Sequence, residues 1–141
     1  MVKRTRFDEE SCPVARSVDA VGDWWSLLIV RDAFDGSRRF GEFQRSLGIA
    51  KNILSARLKG LVEQGILEPG DQHEYVLTAK GQALFPVIVA LRQWGEAFSF
   101  GPGEPRSELL DRRDGQLLRP LEVHAADGRL VTAADTEVRK P

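Results

Sequence analysis

The chain has 141 residues and a formal net charge of −1, which fits one folded domain with an appendage or a small subunit of an obligate dimer. No segment approaches the roughly 20 apolar residues of a membrane span. No apolar run follows the first basic residues as in a signal peptide, so we expect a cytoplasmic protein. The single cysteine excludes an intrachain disulfide and a cysteine-only metal site. The two histidines are too far apart in sequence to suggest a local metal site, so we expect no metal or cofactor.

Residues 1–11 are a charged segment that we expect to form a flexible arm. A first helix is predicted to open at Cys12-Pro13, because proline in the first turn loses no hydrogen bond. Gly22 is expected to end this helix. Its predicted inner stripe consists of Val14, Val18 and Val21.

The next segment, residues 24–34, is strongly apolar and predicts the central buried helix, with Asp23 as its N-cap. We interpret the two adjacent tryptophans as core residues, and the alternative is that they stack on a ligand. The face expected to point inward carries Trp25, Leu28, Ile29 and Ala33.

The stretch from Phe40 to Leu67 predicts two short helices joined by a tight turn at Gly48 and followed by a strand. In the second helix, apolar residues recur at three- and four-residue spacing and define a buried face: Leu54, Leu58, Leu61, Val62 and Gly65. The opposite face carries Asn52, Ser55, Ala56, Lys59 and Glu63, with Lys51 at its start. Polar donors on a rigid apolar backing suit a helix in the DNA major groove. The alternative is an ordinary amphipathic helix with a solvated face.

Positive charge is concentrated around these two helices. Residues 37–60 contain six Lys or Arg and one acid, so they carry about +5 and the rest of the chain about −6. A local cationic surface on an acidic protein is typical of a site-specific DNA-binding protein, although solvated surface could give the same pattern. Arg38 and Arg39 precede the first of the two helices. We expect them to stay exposed and to contact phosphate, and the alternative is a role in solubility.

A hairpin and a long helix are predicted next. Strands at 66–69 and 74–77, joined by a turn at 70–72, would form the wing of a winged helix. Thr78 is expected to cap a helix over 78–100, which Pro86 should end, kink or restart near Leu84-Phe85. The wide apolar stripe of this helix predicts a homodimer interface. The candidate residues are Leu84, Val87, Ile88, Leu91, Trp94 and Phe98.

Residues 101–141 are predicted to be a linker followed by a small β-meander. Its three strands are expected at 107–112, 116–124 and 129–133, because the turns between them each contain an Asp-Gly pair. Such a sheet cannot be stable alone and must pack on another surface. The predicted fold class is therefore α+β, mainly α: a winged helix-turn-helix over 12–77, a dimerisation helix over 78–100 and a C-terminal β extension.

Residues 12–98 resemble the HxlR-type family of bacterial winged helix-turn-helix regulators. The motifs that carry the resemblance are CPVARSVDAVGDWWSLLIVRDAFDG, RRFGEFQRSLGIAKNILSARLKGLVEQGIL and EYVLTAKGQAL, in that order. The resemblance implies a homodimer that binds an inverted repeat in double-stranded DNA, with residues 50–64 as recognition helix. Lys51, Asn52, Ser55 and Lys59 become candidate base or phosphate contacts, and Arg39 and Arg57 match family arginines. Since Arg57 flanks the leucine stripe, we expect it to brace the domain or touch phosphate.

Two departures from the family pattern affect these expectations. Family wings often carry a basic residue, but this wing tip is PGDQHE. Wing contacts to DNA are therefore expected to be weak or confined to Gln72 and His73. Related C-terminal extensions often carry cysteines, and this one has none, which favours a structural role for it.

Cys12 aligns with an N-terminal cysteine that senses electrophiles or oxidants in several family members. A thiolate there would be favoured by the helix dipole and by nearby cations, for which Arg4, Arg6 and Arg16 are candidates. The alternative is a buried structural cysteine.

The expected function is transcriptional regulation, as a repressor, with thiol oxidation at Cys12 as a control mechanism. The alternative is a regulator that responds to a small molecule bound between the long helix, Trp24, Trp94 and the tail sheet. An adaptor that binds protein through its winged helix is a further alternative. An enzyme is not expected, because the sequence lacks a nucleophile–base pair, a phosphate-binding loop and a metal-ligand cluster.

Overall fold

The computed structural model describes residues 6–141. Residues 1–5, which include part of the predicted arm and Arg4, lie outside the described residues. The described chain forms two compact units divided between Ile88 and Val89. It is mainly helical with a small antiparallel sheet, as predicted. The elements are α1 (Pro13–Val21), α2 (Trp24–Phe34), α3 (Phe40–Leu47), α4 (Lys51–Glu63), β1 (Leu67–Pro69), β2 (Tyr75–Leu77), α5 (Ala79–Gln82) and α6 (Phe85–Phe98), with short 3₁₀ turns at Asp71–His73 and Ala133–Asp135. No helix in residues 6–141 is both long and apolar enough to cross a bilayer.

The first two helices begin where the sequence predicts, but their apolar faces are less buried. Pro13 occupies the first turn of α1, and the Asp23 side chain caps α2 by accepting a hydrogen bond from the Ser26 backbone N–H at 2.9 Å. Only Val21 of the α1 stripe is buried, and Val14 is 70% exposed. The inner stripe predicted for α1 is therefore wrong for Val14 and for the half-exposed Val18, since no element within residues 6–141 covers them.

Helix α2 is the central helix, as expected. It contacts α1, α3, α4 and β2, and Ile29, Val30 and Ala33 are buried. Trp25 packs against this core, whereas Trp24 is 75% exposed and touches Trp25 only edge to face. The core role predicted for Trp24 is wrong, because it lies on the outer side of the first turn.

Helices α3 and α4 are joined by the predicted turn. Gly48 ends α3 with a left-handed backbone (φ 61°), a conformation that glycine adopts without the cost of a Cβ. Ile49, directly after the turn, is buried. The core is completed by side chains that are at most 1% exposed, namely Phe43, Leu54, Leu58, Leu61, Ile66 and Leu67.

The hairpin has the predicted antiparallel form. Leu67 pairs with Leu77 and Pro69 with Tyr75. The Thr78 hydroxyl then accepts from the Gly81 backbone N–H at 3.0 Å and donates to the Gly65 carbonyl, which fixes α5 to the end of α4. A Cβ on Gly81 would lie 2.3 Å from the Ile66 carbonyl oxygen, so this close approach requires glycine.

The predicted long helix is divided into α5 and α6. The chain leaves the helix after Gln82 and restarts at Phe85, and Pro86 lies in the first turn of the new helix, where its missing N–H costs nothing. This confirms the restart predicted at Leu84-Phe85. The Phe85 ring packs edge-on against Phe34, with centroids 5.4 Å apart.

The C-terminal unit keeps the predicted turns but not the predicted strands. Gly115 and Gly128 have positive φ at the two Asp-Gly turns, yet only isolated bridges form, Leu110 with Leu117 and His124 with Leu130. The β-meander is thus wrong in detail. Backbone groups that a sheet would use are bonded to side chains instead: the Asp111, Asp114 and Asp127 carboxylates accept from N–H groups two residues on.

Candidate nucleic-acid interface

The exposed side of α4 carries polar side chains that are free to bind a partner. Lys51, Asn52, Ser55 and Lys59 are all exposed. Within residues 6–141 none of these side chains takes part in a hydrogen bond or ion pair. The structure thus brings four of the predicted site residues together on one surface of one helix.

The other side of α4 fixes that surface in place. Leu54 and Leu58 are fully buried, and the helix contacts α2, α3 and β1. Burying a leucine contributes about 1.5–3 kcal/mol, so rotation of α4 about its axis would expose this stripe at high cost. The polar surface is therefore presented in one orientation by the core.

Arg57 connects α4 to the start of α2. Its Nε donates to Asp23 Oδ1 at 3.1 Å, and this is also the oxygen that caps α2. Partial burial of the Asp23 carboxyl raises its pKa, but the hydrogen bonds from Ser26 and the charge of Arg57 outweigh burial, and the pKa lies below its usual 3.8. The geometry matches the bracing role that was one of the two expected for Arg57.

The two arginines before α3 have different environments. Arg39 is exposed as expected, but Arg38 is half-buried, which contradicts the expectation for that residue. The Arg38 guanidinium donates to the Ala33 carbonyl at 2.9 Å and to the Ser37 carbonyl at 3.1 Å, so it closes the end of α2.

Arg39 reaches the wing. Its Nη2 donates to Gln72 Oε1 at 3.0 Å and lies 3.4 Å from Glu74 Oε1. The Tyr75 backbone N–H also donates to the Arg38 carbonyl at 2.7 Å, so the hairpin is tied to the residues before α3. No local sequence pattern predicts this link, although Arg39 and Glu74 carry opposite charges.

The wing tip itself is strained and exposed. Gln72 and His73 have φ of 54° and 62°, a left-handed backbone that is unfavourable for residues with a Cβ. Both side chains lie at the surface. The Gln72 amide oxygen is occupied by Arg39, while its N–H₂ group stays available to an acceptor.

Cys12 is the exposed N-cap of α1, so the burial considered for it is wrong. Its Sγ accepts from the Ala15 backbone N–H at 3.5 Å. The two candidate cations within residues 6–141 are engaged elsewhere, since Arg16 donates to the Glu10 carbonyl and Arg6 pairs with Asp8 at 4.0 Å. Within residues 6–141 no group of three or more His, Cys, Asp or Glu side chains could hold a metal ion.

The predicted dimer residues divide into two sets. Leu84 and Ile88 are partly buried against the core of the N-terminal unit, which is a reason to remove them from the candidate interface. Val87, Leu91, Trp94 and Phe98 are exposed, Trp94 by 64% and Phe98 by 74%. The spacing of four, three and four residues places these four on one side of α6.

The chain is similar to known helix-turn-helix proteins. Residues 20–100 match the family model for HxlR-like helix-turn-helix proteins. The chain is 40% identical over 134 residues to the HTH-type transcriptional regulator Rv3095 of Mycobacterium tuberculosis, covering 91% of this chain and 84% of the relative.

Two solved structures are similar over different lengths. The crystal structure of PA1607, a candidate transcription factor, is 53% identical with a TM-score of 0.90, and the match covers 97% of this chain and 100% of PA1607. The reduced form of the redox regulator HypR is 31% identical with a TM-score of 0.57, and that match covers 61% of this chain and 92% of HypR.

Proposed function

The chain belongs to the HxlR-like helix-turn-helix family of transcriptional regulators, and we propose that it is a homodimeric repressor that binds an inverted-repeat operator through α4. As a member it is a DNA-binding regulator and not an enzyme. The observation that carries the proposal is the exposed face of Lys51, Asn52, Ser55 and Lys59, which no side chain in residues 6–141 engages.

The residues on this face suit two different kinds of DNA contact. The Asn52 amide can pair with the edge of an adenine through one donor and one acceptor, and such a pair discriminates between bases. Lys51 and Lys59 supply charge for phosphates, which sets affinity and position but not sequence. Arg39, Gln72 and His73 would contact the backbone beside the groove.

Sequence-specific binding is tested with duplexes from the promoter region upstream of the protein's own gene. Fluorescence anisotropy should show tighter binding to that region than to a scrambled duplex. Asn52→Ala should reduce this preference by roughly 1–3 kcal/mol, that is about 5- to 150-fold. Gln116→Ala changes another neutral amide, which is exposed in the tail; it is the matched control and should retain the preference. Equal affinity for both duplexes in the wild type would contradict the proposal.

The homodimer is proposed to form through the exposed side of α6. Two-fold operators need two-fold proteins, and contiguous exposed apolar side chains on a helix are typical of interfaces. Trp94→Asp should shift the mass measured by light scattering from dimer to monomer and weaken operator binding. Val138→Asp introduces the same charge at an apolar residue of the tail that is 86% exposed, and it should do neither. A wild-type monomer would rule out this part.

A second candidate function is control by oxidation of Cys12. It is favoured by the exposure of the thiol and by the similarity to the redox regulator HypR. With one cysteine per chain, the disulfide would join two subunits or one subunit and a small thiol. Diamide would accept the two electrons and two protons released as the S–S bond forms. Operator affinity should change on diamide treatment in the wild type and not in Cys12→Ser; identical responses would exclude control through Cys12.

A further inference from the structure

The C-terminal unit contains a cavity of about 360 Å³, a volume within the range of small-molecule sites. Its apolar wall is made by Val89, Ala97, Leu109, Leu117, Leu118 and Pro120. Neither Trp24 nor Trp94 lines it, so this cavity is not the pocket that the sequence predicts between those tryptophans and the tail. The cavity forms because the tail returns along the last three turns of α6.

The tail is held there by a side-chain amide. Gln93 donates through Nε2 to the Arg119 carbonyl at 3.0 Å and accepts through Oε1 from the Leu121 backbone N–H at 2.7 Å. Pro120, between these two residues, has no N–H to satisfy. The Gln93 amide therefore uses both its donor and its acceptor to hold the wall around Pro120, which gives Gln93 a structural role in the cavity.

The cavity is lined by two arginines and one glutamate, so one positive charge is left without a carboxylate partner in residues 6–141. Arg106 donates to the Glu96 carbonyl at 3.0 Å and lies 3.7 Å from its carboxylate, so this pair is largely neutral. Arg92 uses only Nη1, which donates to the Ser107 hydroxyl at 3.0 Å and the Ser107 carbonyl at 3.2 Å. No carboxylate in residues 6–141 forms an ion pair with Arg92.

We infer that this cavity binds a small amphipathic monoanion, an aromatic or medium-chain carboxylate, with Arg92 as the group that holds the anion. A guanidinium has five N–H donors in a planar fork that matches a carboxylate, and Nε and Nη2 of Arg92 have no partner in residues 6–141. Ser107 fixes the side chain before the ligand arrives, which lowers the entropic cost of binding. The apolar wall would cover the hydrocarbon part of the ligand. The inference is independent of DNA binding by α4.

The test is calorimetric titration of the full chain with 2-naphthoate and with the neutral isostere 2-naphthamide. The carboxylate should bind at least about tenfold more tightly, since a charge-assisted hydrogen bond contributes at this level. Arg92→Gln should remove the preference. Arg113→Gln, an exposed arginine of the same unit whose side chain has no partner in residues 6–141, should retain it.

A second variant separates loss of the site from loss of folding. Ala97 lies on the wall and is exposed, so Ala97→Trp should fill the cavity and abolish binding of both compounds without unfolding the chain. No binding of 2-naphthoate to the wild type at millimolar concentration would overturn the proposal. So would equal binding of the two compounds, or a preference that survives in Arg92→Gln.

Discussion

Asp23 both caps α2 and forms an ion pair with Arg57 of α4, and the contributions of the two interactions to the free energy of unfolding can be measured separately. Asp23→Ala removes both the α2 cap, which contributes about 1 kcal/mol, and the ion pair. The Asp23 and Arg57 side chains are 24% and 39% accessible, so solvent screens the pair and about 0.5–1 kcal/mol is expected from it. Asp23→Ala should therefore cost about 1.5–2 kcal/mol. Asp23→Asn should cost about 0.5–1 kcal/mol, because asparagine caps a helix as well as aspartate.

Urea unfolding at fixed protein concentration, followed by circular dichroism, measures both costs in the wild type and in Arg57→Met. In the Arg57→Met background, Asp23→Asn should cost almost nothing, because the partner of the charge is gone, whereas Asp23→Ala should still lose the cap. An Asp23→Asn cost equal to that of Asp23→Ala, or the same Asp23→Asn cost in both backgrounds, would contradict this division between the helix cap and the ion pair.

The same contact has a defined pH dependence. The pKa of Asp23 in the folded protein lies below its usual value of 3.8. The ionised carboxyl therefore stabilises the fold fully above the unfolded-state pKa, and this contribution is lost as pH falls through the folded-state pKa. The stability difference between wild type and Asp23→Asn should be constant near neutral pH and shrink below about pH 4. A difference that grows on acidification would contradict the pKa direction.

Three further predictions concern the packing of α4, the close backbone contact at Gly81 and the attachment of the wing by Arg39. Leu58→Ala should cost about 3–5 kcal/mol in urea unfolding because a fully buried leucine leaves a cavity; a cost below about 1 kcal/mol would mean that α4 is loosely packed. Gly81→Ala should lower stability by more than about 2 kcal/mol through its clash with backbone, whereas Gly60→Ala, with no atom within 4 Å of the new Cβ, should raise stability by about 0.5–1 kcal/mol; similar effects of the two would refute the close approach. Arg39→Ala should speed amide hydrogen exchange in β2 while global stability changes by less than about 1 kcal/mol, and unchanged exchange would show that Arg39 does not hold the wing.

Local rules predicted the N-terminal unit well. The capping role of Asp23, the left-handed turn at Gly48 and the restart of the helix before Pro86 each depend on a few neighbouring residues, so the sequence carries the signal. The buried leucines of α4 follow from periodicity alone. The four exposed polar residues of α4 follow from the same periodicity, because the face opposite a buried stripe is solvated.

The failures have a different physical origin. Val14, Val18 and Trp24 are apolar residues at helical spacing, and periodicity identifies an apolar face without showing what covers it. Arg38 was expected to stay in solvent, yet the carbonyls at the end of α2 need donors, and such a requirement emerges only from the fold.

The tail shows the limit of turn signals. The Asp-Gly pairs form turns as predicted, but strands need continuous backbone pairing. In the tail, carboxylates and the Gln93 amide take hydrogen bonds that a neighbouring strand would otherwise make. The cavity and the free donors of Arg92 follow from this arrangement, which no local pattern in residues 101–141 indicates.

The most direct test of the proposed function is the salt dependence of operator binding in wild type, Lys51→Gln, Lys59→Gln and Lys140→Gln. If the α4 lysines neutralise phosphates, each replacement on α4 removes one contact per subunit. The slope of log affinity against log salt should then become shallower by about 2 per dimer. Lys140→Gln, in the tail, should leave the slope unchanged. Unchanged slopes in both α4 variants would contradict the claim that this face of α4 enters the DNA groove.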